Sequence, residues 1–154
     1  MKIVDAAWLA GYIDGDGSLS LTKSSKRWRR PVISIDSADK ELLLEVLRIT
    51  GCGSITSKKI EAINHRQVWT WRTSGSGNIV MILKEITPFL RCDYKRLRAD
   101  IMLEICALIK RNGVYTDEEI ARKDFFEAQF MDTGNRRGKR HHVTISSGFR
   151  CGRG

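Results

Sequence analysis

Cysteine and histidine are scarce in this 154-residue chain, and acid is outnumbered by base. The four cysteines (Cys52, Cys92, Cys106 and Cys151) lie far apart and make no CxxC pair. That argues against a zinc site and leaves buried or idle thiols in a reducing compartment. No apolar run approaches the roughly 18 residues of a membrane span. The start, Met1-Lys2-Ile3-Val4-Asp5, lacks the shape of a signal peptide. The expected place is therefore inside a cell, in a prokaryotic cytoplasm or an organelle. There is no internal repeat, and the length suits one domain with a real core. Lys and Arg number 27 against 18 Asp and Glu, a formal charge of +9. Such a balance favours a polyanionic partner, nucleic acid ahead of an anionic membrane.

What is present is organised around Leu9-Ala10-Gly11-Tyr12-Ile13-Asp14-Gly15-Asp16-Gly17. Asp5 is placed to cap a helix start, and Ala6 to Ile13 contain no breaker except Gly11. On that helix Ala7, Gly11 and Asp14 recur at i, i+4 and i+7, with Ala10 beside them, so one face is nearly bare of side chain. Small-xxx-small spacing lets a second helix approach backbone to backbone. Leu9 and Ile13 point the other way, toward a core. Gly15 and Gly17 permit a sharp turn that leaves Asp16 at the helix end, beside a strand over Ser18–Thr22.

Along the chain, Leu19 and Leu21 alternate with Ser18, Ser20 and Thr22, and Ile33 and Ile35 alternate again within Val32–Asp36. Residues 23–30 between them hold five positive charges and no acid, forming the tip of a β-ribbon. Its outward face offers Ser20, Thr22, Ser24, Trp28, Arg30, Val32 and Ser34. A helix is predicted over Asp39–Thr50, capped by Ser37 or Asp36, with Leu42, Leu43, Val46 and Leu47 as its apolar stripe and Gly51 at its end. Strands follow over Ser54–Ile60 and Gln67–Thr73, with the tryptophans inward and Thr56, Lys58, Arg66, Val68, Thr70 and Arg72 outward. Ser74–Gly77 reads as a flexible link, Asn78 as the cap of a helix that breaks near Pro88. A longer helix over Tyr94–Lys110 is apolar at Leu97, Ile101, Ile105 and Leu108. Thr116 and Glu119 fit a capping box opening a last helix to about Phe130. Two segments result: a domain over residues 1–132, and a basic arm over 133–154, partly disordered in the free protein, with six Lys or Arg and no acid.

The nine-residue run resembles the LAGLIDADG motif of homing endonucleases, with Tyr12 for Leu and Gly15 for Ala. The resemblance implies an α+β domain of order αββαββα, with a curved antiparallel sheet covered by helices. The order read from the sequence agrees to about residue 112. It further implies that Ala7, Ala10, Gly11 and Asp14 meet a partner helix, Asp14 also bonding at the helix junction. Asp16, with the Gly15 carbonyl, would hold divalent metal, Mg²⁺ with Mn²⁺ able to substitute. With a single motif, the paired site needs a second copy, hence a homodimer and a near-palindromic duplex target. The family keeps a basic residue after a segment like Pro88-Phe89-Leu90; Lys95 takes that place when two residues are inserted, since Asp93 would sit badly beside phosphate. Ser37 falls where relatives often have Gln, and Lys40 where they have a nearby base.

The expected activity is a metal-dependent staggered double-strand cut with 3′ overhangs, made by an intron-encoded endodeoxyribonuclease. The strands would enter a major groove. Arg30, Lys58, Arg66 and Arg72 would reach guanine edges or phosphates, while Ser20, Thr22, Ser24, Trp28, Ser34, Thr56 and Thr70 supply softer contacts. Lys23, Lys26, Arg27 and Arg29 would hold phosphates, as would Arg136, Arg137, Lys139 and Arg140 on the arm. With metal-activated water no histidine base is needed, so His65, His141 and His142 read as DNA-facing or idle. The alternatives are an intron RNA maturase and a non-cutting DNA-binding protein of the same fold.

Overall fold

The computed structural model describes residues 1–23, 28–58, 67–110 and 113–135. Helix α1 (Ile3–Asp16) runs directly into strand β1 (Gly17–Lys23), followed by β2 (Arg29–Ser37), α2 (Lys40–Thr50), β3 (Ser54–Ser57) and β4 (Trp69–Ser74). Helix α3 (Ser76–Ile86) continues through a 3-10 turn (Thr87–Phe89) to α4 (Asp93–Ala107) and α5 (Asp117–Asn135). The four described strands pair antiparallel in the order β1-β2-β4-β3. This is the expected α+β arrangement.

Period-two alternation puts one face of the sheet under the helices and leaves the other polar. Leu19 pairs with Ile33, and Ile35 and Ile55 both pair with Trp71. These side chains join Leu9, Ile13, Leu43, Val46, Ile79, Leu83, Met102 and Ile105 in the core. On the other face Ser18 lies opposite Ser34, Thr22 opposite Arg30, Arg72 opposite both Ser34 and Ser54, and Thr70 opposite both Asp36 and Thr56. Val32 belongs to this second row, yet it is only 2% exposed. It lies in the central strand between Ser20 and Ser74, and the Arg72 side chain reaches diagonally across β2 to Thr22 (3.5 Å).

Several local expectations are corrected. Asp5 lies inside the first turn of α1; Lys2 holds the N-cap position, without a side-chain cap bond. The Asp14-Gly15-Asp16 segment is the last turn of α1, where no bend occurs. The close approach falls instead at Gly17, where a Cβ would lie 2.6 Å from the Ile13 Cα. Ser74–Gly77 is no link: β4 ends at Ser74, Gly75 turns the chain with φ of 96°, and α3 starts at Ser76. Asn78 therefore sits inside α3, its amide donating to the Ser74 carbonyl. Asp39 rather than Ser37 or Asp36 is the N-cap of α2, and the Ser37 hydroxyl accepts the Asp39 N–H (3.0 Å). Leu42 and Leu97 are exposed, while Leu43 and Val46 of the one expected stripe and Ile101 and Ile105 of the other are buried, joined in α4 by Ala99 and Met102. The capping box forms as expected: Thr116 N–H donates to the Glu119 carboxylate (3.0 Å) and Glu119 N–H to the Thr116 hydroxyl (3.2 Å). Helix α5 then passes Phe130 and residue 132 to reach Asn135.

Candidate functional site

Asp16 stands at the junction of helix and sheet, exposed, with no hydrogen bond or ion pair to any described residue. The turn preceding it is pinned twice. The Lys95 ammonium from α4, 5% exposed, donates to the main-chain carbonyls of Ile13 (2.5 Å) and Asp14 (2.7 Å). A cation suits the negative end of the helix dipole, where the Ile13 carbonyl also accepts the Gly17 N–H. The Asp14 carboxylate accepts N–H bonds from Arg91 (2.6 Å) and Cys92 (3.3 Å), just ahead of α4. Lys95 thus acts on the backbone that carries Asp16, a positioning role rather than a contact from solvent.

The outer face of α1 is open. A Cβ added at Gly11 or Gly15 would meet nothing within 4 Å. Ala7 is exposed, as are the apolar Ile3 and Val4 (74% and 75%). Ala10, expected on this face, is instead 0% exposed in the core with Leu9 and Ile13. The helix carries small residues on both sides, and residue size alone does not say which side faces in.

Ser37 and Lys40 lie at the same end of the sheet as Asp16, since β2 runs two residues past Ile35, the partner of Gly17. Both have partners in their own chain. Ser37 receives the Asp39 N–H, and the Lys40 ammonium lies over the Trp69 ring, 4.3 Å from its centroid.

On the polar sheet face Ser20, Thr22, Ser34, Thr56, Thr70 and Arg72 form a band with Arg30, and Lys23 follows at the end of β1. Asp36, which the sequence reading treated only as a cap, is part of this face. It accepts hydrogen bonds from Lys58 (2.7 Å) and Thr70 (2.5 Å). Partial burial works against ionisation of Asp36, but those two hydrogen bonds and the Lys58 charge outweigh it and hold the carboxyl below its ordinary range. Ser24, Lys26, Arg27, Arg66, Arg136, Arg137, Lys139 and Arg140 lie outside the described residues, as do the three histidines.

Trp28 departs from the expected outward row, and the backbone of Arg29 beside it is tied to α5. The Trp28 ring packs edge-on against Tyr115 (4.7 Å between centroids) under the Lys123 ammonium, and the Arg29 N–H donates to Glu127 of α5 (3.0 Å). These partners are some 90 residues away in sequence, and no local pattern announces them. Arg98 is a second such case. It stacks on Tyr94 and Phe130 and bonds Thr133 and the Leu19 carbonyl, tying α4, α5 and β1 together.

Cys52, Cys92 and Cys106 are free, and burial pushes the Cys106 thiol up to about 11. Among the described residues no three His, Cys, Asp or Glu side chains gather as metal ligands, and no helix is long and apolar enough to cross a membrane. Asp16 nonetheless fits a hard divalent cation in kind, being an exposed carboxylate oxygen donor with no partner among the described residues.

The family model of a LAGLIDADG-like domain matches residues 4–87. No curated protein matches by sequence. Solved structures do match. The homing endonuclease I-CvuI, in complex with its target in the presence of 2 mM Ca, has a TM-score of 0.65 at 19% identity over 86% of this chain and 82% of its own. The archaeal intron-encoded homing endonuclease I-Vdi141I, complexed with DNA, has a TM-score of 0.68 at 16% identity over 84% of each chain. The LAGLIDADG meganuclease I-AabMI, bound to uncleaved DNA, has a TM-score of 0.62 at 21% identity; 80% of this chain covers 43% of that one. These likenesses concern the fold, and it is the match of the family model to more than half of the sequence that decides membership. The chain belongs to the LAGLIDADG-like domain family.

Proposed function

We propose that two copies of this chain pair through the open face of α1 and make a divalent-metal-dependent, staggered double-strand cut in a near-palindromic duplex. The observation that carries the reading is Asp16: an exposed carboxylate with no partner among the described residues, at the end of a helix whose Ala7–Gly11–Gly15 side is bare. A second copy across a two-fold axis through that side brings a second Asp16 beside the first. Both face a phosphodiester held against the polar side of the two sheets. The relatives in complex with DNA, one in the presence of 2 mM Ca, support the ligand class and the use of a divalent ion.

The Asp16 carboxylates, with the Gly15 carbonyls, would hold the ion, Mg²⁺ or in its place Mn²⁺. When bound, the ion supplies activation of a water and charge neutralisation at the phosphate. Lys95 holds the last turn of α1, so that each carboxylate keeps its place. Ser37, with its hydroxyl proton still available to donate, and Lys40 at the start of α2 border the same end of the sheet. There they order water and add positive charge. The Ser20, Thr22, Ser34, Thr56, Thr70 and Arg72 face, with Arg30, reads base edges; Lys23 and the basic arm of residues 133–154 hold phosphates, setting affinity and salt dependence.

The test is cleavage of a randomised duplex library with Mg²⁺. The native chain yields a fixed short 3′ overhang in a near-palindromic site, and Asp16→Asn binds that site without cutting it. Cutting by both chains alike would remove Asp16 from the chemistry. Binding without cutting by either, across salt, temperature and Mn²⁺, would favour the non-cutting DNA-binding reading.

A further inference from the structure

Lys123 is an unusual lysine: it is charged, it lies in the middle of α5, and it is only 4% exposed. Its ammonium sits 4.1 Å from the Trp28 ring centroid and 4.7 Å from that of Tyr115. Among the described residues it has no hydrogen bond or ion pair. The acids closest at hand are engaged elsewhere, Glu119 with Lys110 (2.6 Å) and the Thr116 N–H, and Glu127 with the Arg29 N–H. A buried ammonium without a counter-charge is unfavourable, and the two ring faces compensate only part of that.

The same ammonium lines a cleft of about 210 Å³, with Trp28, Arg29, Arg30, Lys110 and Tyr115 on the other walls. No carboxylate residue is among those walls, while four of the residues are cations. The aromatic walls keep water from the Lys123 ammonium and strengthen its pull on an anion. The cleft lies at the start of β2 beside α5, and Arg30 belongs both to its walls and to the polar strand face.

We propose that this cleft binds a phosphate of a polynucleotide backbone flanking the stretch covered by the sheet, with Lys123 as its central charge. The proposal rests on the nucleic-acid reading above and not on cutting. It explains why Trp28 packs inward: the ring shapes a phosphate seat, and base contacts are left to the polar strand face.

The experiment measures binding of a labelled random duplex against NaCl concentration for the native chain, Lys123→Met and Lys123→Arg, with thermal melting of each chain without DNA. Methionine keeps the packing stem and removes the charge. The expected result is a log K against log[salt] slope shallower by about one counterion for Lys123→Met, with a several-fold loss of affinity at low salt and a native slope for Lys123→Arg. Lys123→Met alone melts no lower than the native chain. A native slope in Lys123→Met overturns the proposal, as does a Lys123→Met chain that melts lower or fails to fold while Lys123→Arg is sound, since the charge then serves the fold. Inorganic phosphate at constant ionic strength is the second probe. If it raises the melting temperature of the native chain but not of Lys123→Met while the salt slope of Lys123→Met stays native, the ligand is a free anion and the assignment to a backbone fails. Absence of duplex binding by every chain is a different result, and refutes the nucleic-acid reading itself.

Discussion

Lys95 and Asp14 meet at the end of α1 in a reciprocal arrangement: the Lys95 ammonium takes the Asp14 carbonyl at 2.7 Å, while the Asp14 carboxylate takes the N–H of Arg91 at 2.6 Å. Residues 13–14 and 91–95 are thereby locked together, and Asp16 is carried by the locked turn. Replacing Lys95 by Met takes the ammonium from both carbonyls and leaves that of Ile13 with the Gly17 N–H alone. The expected loss of stability is about 1–3 kcal/mol, read from urea melts. Cutting should fall further than stability does, because the Asp16 carboxylate loses its fixed place. A Lys95→Met chain as stable as the native one would show that solvent or a neighbour satisfies those carbonyls.

The bare side of α1 separates chain stability from assembly. A Cβ at Gly11 meets nothing within the chain, and alanine suits a helix interior better than glycine by about 0.5–1 kcal/mol. Gly11→Leu should therefore leave the monomer's melt unharmed yet prevent close helix pairing, so that sedimentation shifts from dimer to monomer. A Gly11→Leu dimer would place the interface elsewhere.

Acid should weaken the fold through Asp36. Its folded value lies below the ordinary 3.8, so the unfolded chain takes up the proton more readily. The contribution is complete above that ordinary value and is lost as pH falls through the lower, folded one. Melting temperatures between pH 2 and pH 6 should show Asp36→Asn with a flatter acid limb than the native chain. Equal limbs would mean that the Lys58–Asp36–Thr70 group contributes nothing to folding.

Thr116 and Glu119 cap α5 reciprocally, so Thr116→Ala should cost about 1 kcal/mol by thermal or urea unfolding. Glu119 also bonds Lys110, and the hydrogen bond from that lysine holds its carboxyl below the ordinary range. Lys110 and Thr116 are thus tied to the same carboxylate, beside the Trp28 cleft. An unchanged melt in Thr116→Ala would assign α5's stability to its packing on α4 alone.

Local signals made part of this legible from residue order. Leu19, Leu21, Ile33 and Ile35 alternate, Thr116 and Glu119 stand three apart, and the run ending in Asp16 is specific; each states its role within a few neighbours. Ala10 shows the limit: Ala6 and Ala10 face the core while Ala7 and Gly11 face out, a choice made by the packing of α1 on the sheet and α3. Leu42 and Leu97 look like core positions, yet they lie at the exposed edges of stripes whose Leu43, Val46, Ile101 and Ile105 are buried. Trp28 with Tyr115 and Lys123, and Lys95 with the carbonyls of Ile13 and Asp14, join segments about 80 to 95 residues apart. Nothing in the local pattern of charge or hydropathy encodes such meetings; they arise only once α4 and α5 have docked.

The central claim is that one cut needs Asp16 from two chains. It is tested by unfolding native and Asp16→Asn chains together, refolding them in varied proportions, and counting every strand cut in the selected site, nicks included. If the carboxylates act as a pair, cleavage follows the square of the native fraction, so an equal mixture keeps about one quarter of the activity. A linear fall, with about one half retained at equal mixing, would contradict the paired site and make each chain a self-sufficient catalyst.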